Sequence, residues 1–172
     1  MAADRKPLHS YWQPRYWPTW IGMGLLRLIC LLPHRVALAI GSLLGRLAHT
    51  FGGSRRAIVR RNIELCFPEL SPEERDALAL EHFKALGICL IEMGLGRWAS
   101  DEHLASITTI NGLEHVEAAA SGGRGVIMLA AHFTTIEVSG RVLALNVPPF
   151  DGVYRKNRSD FITELQRSGR ER

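Results

Sequence analysis

Gly125-Val126-Ile127-Met128-Leu129-Ala130-Ala131-His132-Phe133-Thr134-Thr135-Ile136-Glu137 joins a glycine-bounded apolar run to a histidine and, five residues on, to a carboxylate. A short apolar run bounded by glycine reads as a strand buried on both faces. Val138, Val142, Leu143 and Leu145 continue at helical spacing, so a helix is expected next. His132 then lies at the carboxyl end of a strand, where open α/β sheets place their ligands.

The spacing constrains the pair. On one continuous helix, residues five apart point about 140° away from each other. They converge only if His132 occupies the loop and Glu137 the first helical turn. From there the carboxylate can accept a hydrogen bond from one imidazole nitrogen and leave the other as a base. Such a base takes the proton of an acceptor hydroxyl as that hydroxyl attacks an acyl group. A plainer reading stands beside it. Thr134-Thr135-Ile136-Glu137 is also a capping box, in which Glu137 serves backbone donors and His132 is an ordinary loop histidine.

Downstream, Pro148-Pro149 breaks the chain before Phe150–Tyr154, read as a strand ending at Arg155, and Ser159-Asp160 caps a final helix over Phe161–Arg170. Arg155, Lys156 and Arg158 follow that strand, where they either hold an anionic head group or form a solvated basic turn. Upstream, Ile107–Ile110 reads as a strand, Asn111-Gly112 as a turn, and Leu113–Ala120 as a helix stopped by Ser121-Gly122-Gly123. Asp101–Ser106 is a short helix or turn. Ser71-Pro72-Glu73-Glu74 opens a longer helix running to about Trp98, with Ser71 as N-cap, Pro72 in the first turn and Glu74 closing the box. Strands alternating with helices predict an α/β sheet with crossover helices behind a helical N-terminus.

That N-terminus has its own character. Arg5, Lys6, Tyr11, Trp12, Arg15 and Tyr16 precede Trp17, Trp20 and the apolar run Ile21–Leu32; Pro33-His34-Arg35 separates a second run, Val36–Phe51. Aromatics ahead of an apolar run suit a membrane interface. The first run is shorter than the roughly 20 residues of a spanning helix. It also carries Arg27, which would cost about 2.5–3.5 kcal/mol at mid-bilayer. A short anchor, or two helices half-buried in one leaflet, fits better than a span; two core helices of a soluble protein are the alternative. No A-x-A-like cleavage site marks a secretory signal. Ala37, Gly41 and Gly45 form a small-residue stripe for close helix packing. Arg55, Arg56, Arg60 and Arg61 then meet lipid phosphates or line a solvated helix face. Nucleic-acid binding is disfavoured, because no aromatic stacking platform or recognition motif accompanies them.

The chain has 172 residues and a net charge of +4, enough for one domain with a real core and an anionic partner. Cys30, Cys66 and Cys89 lack CxxC spacing and read as reduced, buried thiols. No His/Cys cluster has zinc-ligand spacing, so neither a metal nor a cofactor is expected.

Three stretches in this order carry a family resemblance: Arg61-Asn62-Ile63-Glu64-Leu65-Cys66-Phe67-Pro68-Glu69-Leu70-Ser71, then Ala131-His132-Phe133-Thr134-Thr135-Ile136-Glu137, then Gly152-Val153-Tyr154-Arg155. Together with the N-terminal anchor they resemble the bacterial lipid A acyltransferases, over essentially the whole chain from about Trp17. HxxxxE alone is a weak signal; the ordered set is a strong one. The resemblance implies transfer of a fatty acyl chain from acyl-acyl carrier protein to a hydroxyl of a lipid A precursor, at the cytoplasmic face of the bacterial inner membrane. It implies His132 as general base, Glu137 as its charge-relay partner and Arg155 as a contact to the phosphorylated glycolipid. Where the family commonly has proline after Val-Tyr-Arg, this chain has Lys156-Asn157-Arg158. The family pattern also runs on past Arg172. The expected organisation is membrane-anchor helices over 1–51 and, over 52–172, the N-terminal part of an α/β acyltransferase domain with an incomplete sheet. Rival readings are an acyltransferase for another glycolipid, a glycerolipid (lysophospholipid) acyltransferase, and a non-catalytic membrane-bound fragment. Glycerolipid enzymes usually show Asn-His and a terminal Asp, where Ala131 and Glu137 stand here.

Overall fold

Serine caps start three of the helices, and long-range glycine contacts hold the helices together. The computed structural model describes residues 6–171, leaving Arg5 of the aromatic-basic N-terminus and Arg172 outside the described residues. Two short 3-10 turns, Leu8–Tyr11 and Pro14–Tyr16, lead into α1 (Trp17–Cys30) and α2 (His34–Phe51), which Pro33 separates. There follow α3 (Gly53–Cys66), α4 (Pro72–Trp98), α5 (Asp101–Ile107), α6 (Leu113–Ser121), α7 (Ile136–Ala144) and α8 (Asp160–Arg170).

The cap of α4 is formed as its sequence dictates. The Glu74 N–H donates to Ser71 Oγ at 3.2 Å, and the Ser71 N–H donates to Glu74 Oε2 at 2.7 Å. Those bonds hold the Glu74 carboxyl below its usual range. Ser100 and Ser159 cap α5 and α8 by the same side-chain bond, donated by the N–H groups of His103 and Ile162. Gly112 enters α6 at φ 83°, a left-handed conformation that costs glycine nothing.

The small-residue stripe of α2 meets α4. A Cβ on Gly45 would collide with the carbonyl of Phe83, and one on Gly87 with the carbonyl of Gly41. The two backbones therefore touch, and Ala37 and Ile91 are fully buried beside the crossing. Each further glycine of α4 admits another helix. A Cβ on Gly94 would come within 2.6 Å of Cys30 Sγ from α1, and one on Gly96 within 3.1 Å of the Glu137 carbonyl from α7. Leu26, Leu95, Leu104, Val138 and Val142 close one core around α4. A second centre joins the two ends of the chain. Phe161, at the start of α8, stacks on Tyr11 at 4.9 Å between ring centroids and also contacts Tyr16 and Trp20.

Two expectations are overturned. Among the described residues there is no β-strand, so the α/β sheet is absent and the architecture is all-helical. The segments read as strands, 107–110, 125–131 and 150–154, are the end of α5 and irregular connections. A strand exists only through a ladder with a neighbour, and these segments meet none. Ile127, Leu129 and Val153 are almost fully exposed, at 97%, 99% and 104%, so the apolar character that identified the segments is unburied here. Cys66, read as buried, is exposed at the last residue of α3, where no neighbouring element covers it; Cys30 and Cys89 are half-buried and all three are free thiols.

The apolar N-terminal helices also show outward faces. On α1, Trp17, Ile21, Leu25 and Leu28 recur at helical spacing and are more than half exposed; on α2, Leu43, Leu47 and Phe51 recur in the same way and are 55%, 45% and 82% exposed. No helix of the described residues is long and apolar enough to cross a membrane.

Candidate active site

His132 lies in the connection that enters α7. The Phe133 N–H donates to the Ala131 carbonyl and the Ile136 N–H to the Phe133 carbonyl, so the chain turns tightly between His132 and the helix. His132 itself is exposed, and no hydrogen bond joins it to Glu137 among the described residues. Thr135 is the N-cap of α7 and makes no side-chain cap bond. The carboxylate of Glu137 is thus not spent on a capping box.

It is spent on Arg170. The guanidinium of Arg170 reaches across from α8 and donates Nε–H to Glu137 Oε2 at 3.0 Å and Nη2–H to Oε1, a two-pronged ion pair on a carboxylate that is 17% exposed. This pairing, opposed by partial burial, raises the Arg170 pKa above its ordinary value. Bidentate arginine–carboxylate bonds are among the stronger polar contacts a protein makes.

α4 locates both members of the pair with consecutive residues. Gly96 lets the backbone of Glu137 settle onto the helix. Arg97 donates to the Leu165 carbonyl at 2.7 Å and to Ser168 Oγ at 3.2 Å, fastening α8. Arg141 of α7 donates to the Gly96 carbonyl at 3.0 Å and pairs with Asp101 at 2.7 Å, locking α7 from its other side.

Arg155, Lys156 and Arg158 are exposed in the connection between α7 and α8 and form no ion pair among the described residues. Between them Asn157 ties the segment to α8: its N–H donates to Thr163 Oγ1 at 3.0 Å and its Nδ2–H to Gln166 Oε1 at 2.7 Å. The basic side chains therefore project from an anchored backbone. No group of three or more His, Cys, Asp or Glu side chains that could hold a metal ion occurs among the described residues.

Residues 5–172 match the profile of the family described as bacterial lipid A biosynthesis acyltransferase. The chain belongs to that family. The lipid A biosynthesis lauroyltransferase of Escherichia coli (strain K12) is 40% identical over 157 residues, which cover 91% of this chain and 51% of that protein. The palmitoleoyltransferase of the same organism is 36% identical over 172 residues, covering 100% of this chain and 56% of the relative. The myristoyltransferase of that organism is 30% identical over 135 residues, 78% of this chain and 42% of the relative. The chain thus spans about half the length of these curated relatives. No solved structure matches it.

In this acyltransferase-family chain, the sequence singled out His132 and Glu137 but missed what surrounds Glu137. Arg170 lies 33 residues further on, at the end of the final helix, which was read only for its Ser159-Asp160 cap. Glu92 was also missed. It sits within α4, half-buried, with Oε2 lacking a hydrogen-bond partner, and burial pushes its carboxyl above the usual range. Its charge and that of Glu137 both act on Cys89, whose thiol is raised chiefly by burial. The available signal was a lone acid in the apolar face of a predicted helix, three residues from Cys89 and four from Gly96.

Proposed function

We propose that the chain carries the general-base half of an O-acyltransferase that moves a fatty acyl group from acyl-acyl carrier protein to a hydroxyl of a lipid A precursor. The observation that carries this reading is the placement of His132, open to solvent ahead of α7, with the Glu137 carboxylate in the first turn of that helix. That placement occurs within a chain of the lipid A acyltransferase family.

In the proposed step, a neutral His132 takes the acceptor hydroxyl's proton while the oxygen attacks the thioester carbonyl carbon. The tetrahedral intermediate collapses to the new ester and expels the carrier protein's thiolate, which recovers the proton from the imidazolium. Glu137 orients the imidazole and stabilises its charged form. No covalent acyl-enzyme is needed. Arg155, Lys156 and Arg158 contact the phosphates of the glycolipid, a role suited to cations held on the backbone that Asn157 anchors. The excess of basic residues also suits an acidic carrier protein.

Membrane attachment belongs to the same reading. The outward apolar faces of α1 and α2 would lie in the cytoplasmic leaflet of the inner membrane, with Arg55 and neighbouring arginines at its phosphates. Residues up to 51 then form the membrane-facing part, and the chain from 52 onward the acyl-transfer part.

The test is acyl transfer from acyl carrier protein to a lipid A precursor in membranes holding the protein, with His132→Ala alongside. General-base removal should lower the rate by about 10²–10⁴-fold. A His132→Ala protein that transfers at the unsubstituted rate would overturn the assignment. Transfer to a lysophospholipid in place of the lipid A precursor would move the reading to the glycerolipid class.

A further inference from the structure

We infer that Arg170 is a positioning residue for acyl transfer, acting through Glu137 by holding its carboxylate at the junction of α4, α7 and α8. The inference rests on the reading of His132 and Glu137 as the general-base pair.

Four observations converge on it. First, both nitrogens used by Arg170 meet both oxygens of Glu137, fixing the plane as well as the place of the carboxylate. Second, Glu137 is mostly withdrawn from solvent, so water competes weakly for its oxygens. Third, the two partners are set by adjacent residues of one helix, Gly96 beneath Glu137 and Arg97 against α8. A shift of α4 therefore moves both together. Fourth, a carboxylate offers about four lone-pair directions, and the two-pronged contact uses two. The remaining acceptor capacity is free for an imidazole N–H, so Arg170 and His132 need not exclude each other. Phe161 secures the other end of α8 in the Tyr11, Tyr16 and Trp20 cluster, which leaves the helix little freedom to withdraw Arg170.

Arginine is the side chain this geometry calls for. Lysine supplies the charge but not the planar fork. A carboxylate held by a point charge keeps its attraction and loses its orientation, and misplacement of about 1 Å in a catalytic arrangement can cost on the order of a hundredfold in rate.

The experiment measures steady-state acyl transfer in membranes for the unsubstituted protein, His132→Ala, Arg170→Gln, Arg170→Lys, Glu137→Gln and the Glu137→Gln/Arg170→Gln pair, with thermal unfolding of each. Arg170→Gln should lower kcat on the order of a hundredfold with donor and acceptor KM nearly unchanged. Arg170→Lys should recover part of that loss. The double variant should be no slower than Glu137→Gln, because residues acting as one unit are not additive. If His132→Ala abolishes transfer while Arg170→Gln keeps its kcat, the role of Arg170 is overturned and the parent reading survives. If the two losses multiply in the double variant, Arg170 serves the fold and not Glu137. If the unsubstituted protein transfers nothing, or His132→Ala transfers normally, the general-base reading falls and this inference falls with it.

Discussion

The α2–α4 crossing and the connection that carries His132 contain residues of similar hydrophobicity, and they end in opposite states. At the crossing, Gly41 and Gly45 face Phe83 and Gly87 so closely that no added carbon fits, and Ile91 is sealed from solvent. In the connection, Ile127 and Leu129 are almost wholly exposed. The difference lies in where each segment finds its hydrogen bonds. A helix satisfies its backbone within itself and needs only a groove for its side chains. An extended segment satisfies its backbone only through a neighbouring strand. The helices around α4 therefore bury their apolar faces against one another, whereas the segment that presents His132 keeps its apolar side chains in solvent.

The comparison can be broken hardest at the aromatic centre. Phe161→Ala removes the ring that ties α8 to Tyr11 and Tyr16, and should cost about 3–5 kcal/mol in a denaturant titration. Protease cleavage within α8 should rise in step; a loss below about 1 kcal/mol would show that α8 is not anchored there. At the crossing, Gly87→Ala pushes a methyl group into the Gly41 carbonyl and should cost about 3 kcal/mol, the upper end of an overpacking penalty. An unchanged melting temperature would mean that the backbones do not touch.

A smaller effect sharpens the account of α4. Burial raises the Glu92 carboxyl above its unfolded value, so the folded chain keeps the proton to higher pH than the unfolded chain does. Its contribution is therefore present at acid pH and is lost as pH rises through the folded titration range. Glu92→Gln should melt like the unsubstituted protein at low pH and at a higher temperature than it at neutral pH. A benefit that persisted unchanged into acid would assign it to something other than the charge. Least of all, Leu129→Ser should alter stability by less than about 0.5 kcal/mol, since its side chain is already in water. A larger loss in urea unfolding would mean that the connection is packed in solution.

Different kinds of information were legible to different depths. Ser71, Pro72 and Glu74 announced the start of α4, and their bonds are those the residue types dictate over one turn. The stripe Ala37, Gly41 and Gly45 announced a close packing partner, yet nothing local named Phe83 and Gly87 as that partner. Around the candidate site, the order His132, turn, helix, Glu137 was legible. The carboxylate's engagement with Arg170 was not, because it spans 33 residues and depends on how Gly96 and Arg97 seat two helices. The apolar runs at 125–131 and 150–154 were read as strands from composition, and composition reports only the wish to be buried.

By itself, then, the sequence determined the start of α4 and of α8 with their serine caps, and the spacing of His132 from Glu137, since these depend on interactions within a turn or two. Family membership was legible as well, because ordered motifs survive without any knowledge of packing. Tertiary structure alone decided that α4 would be the hub, that Tyr11 would meet Phe161, and that Glu137 would be held by Arg170. The physical reason is common to all three. Each depends on which surfaces are brought together across the chain, and shape complementarity between distant segments is not written in either segment alone.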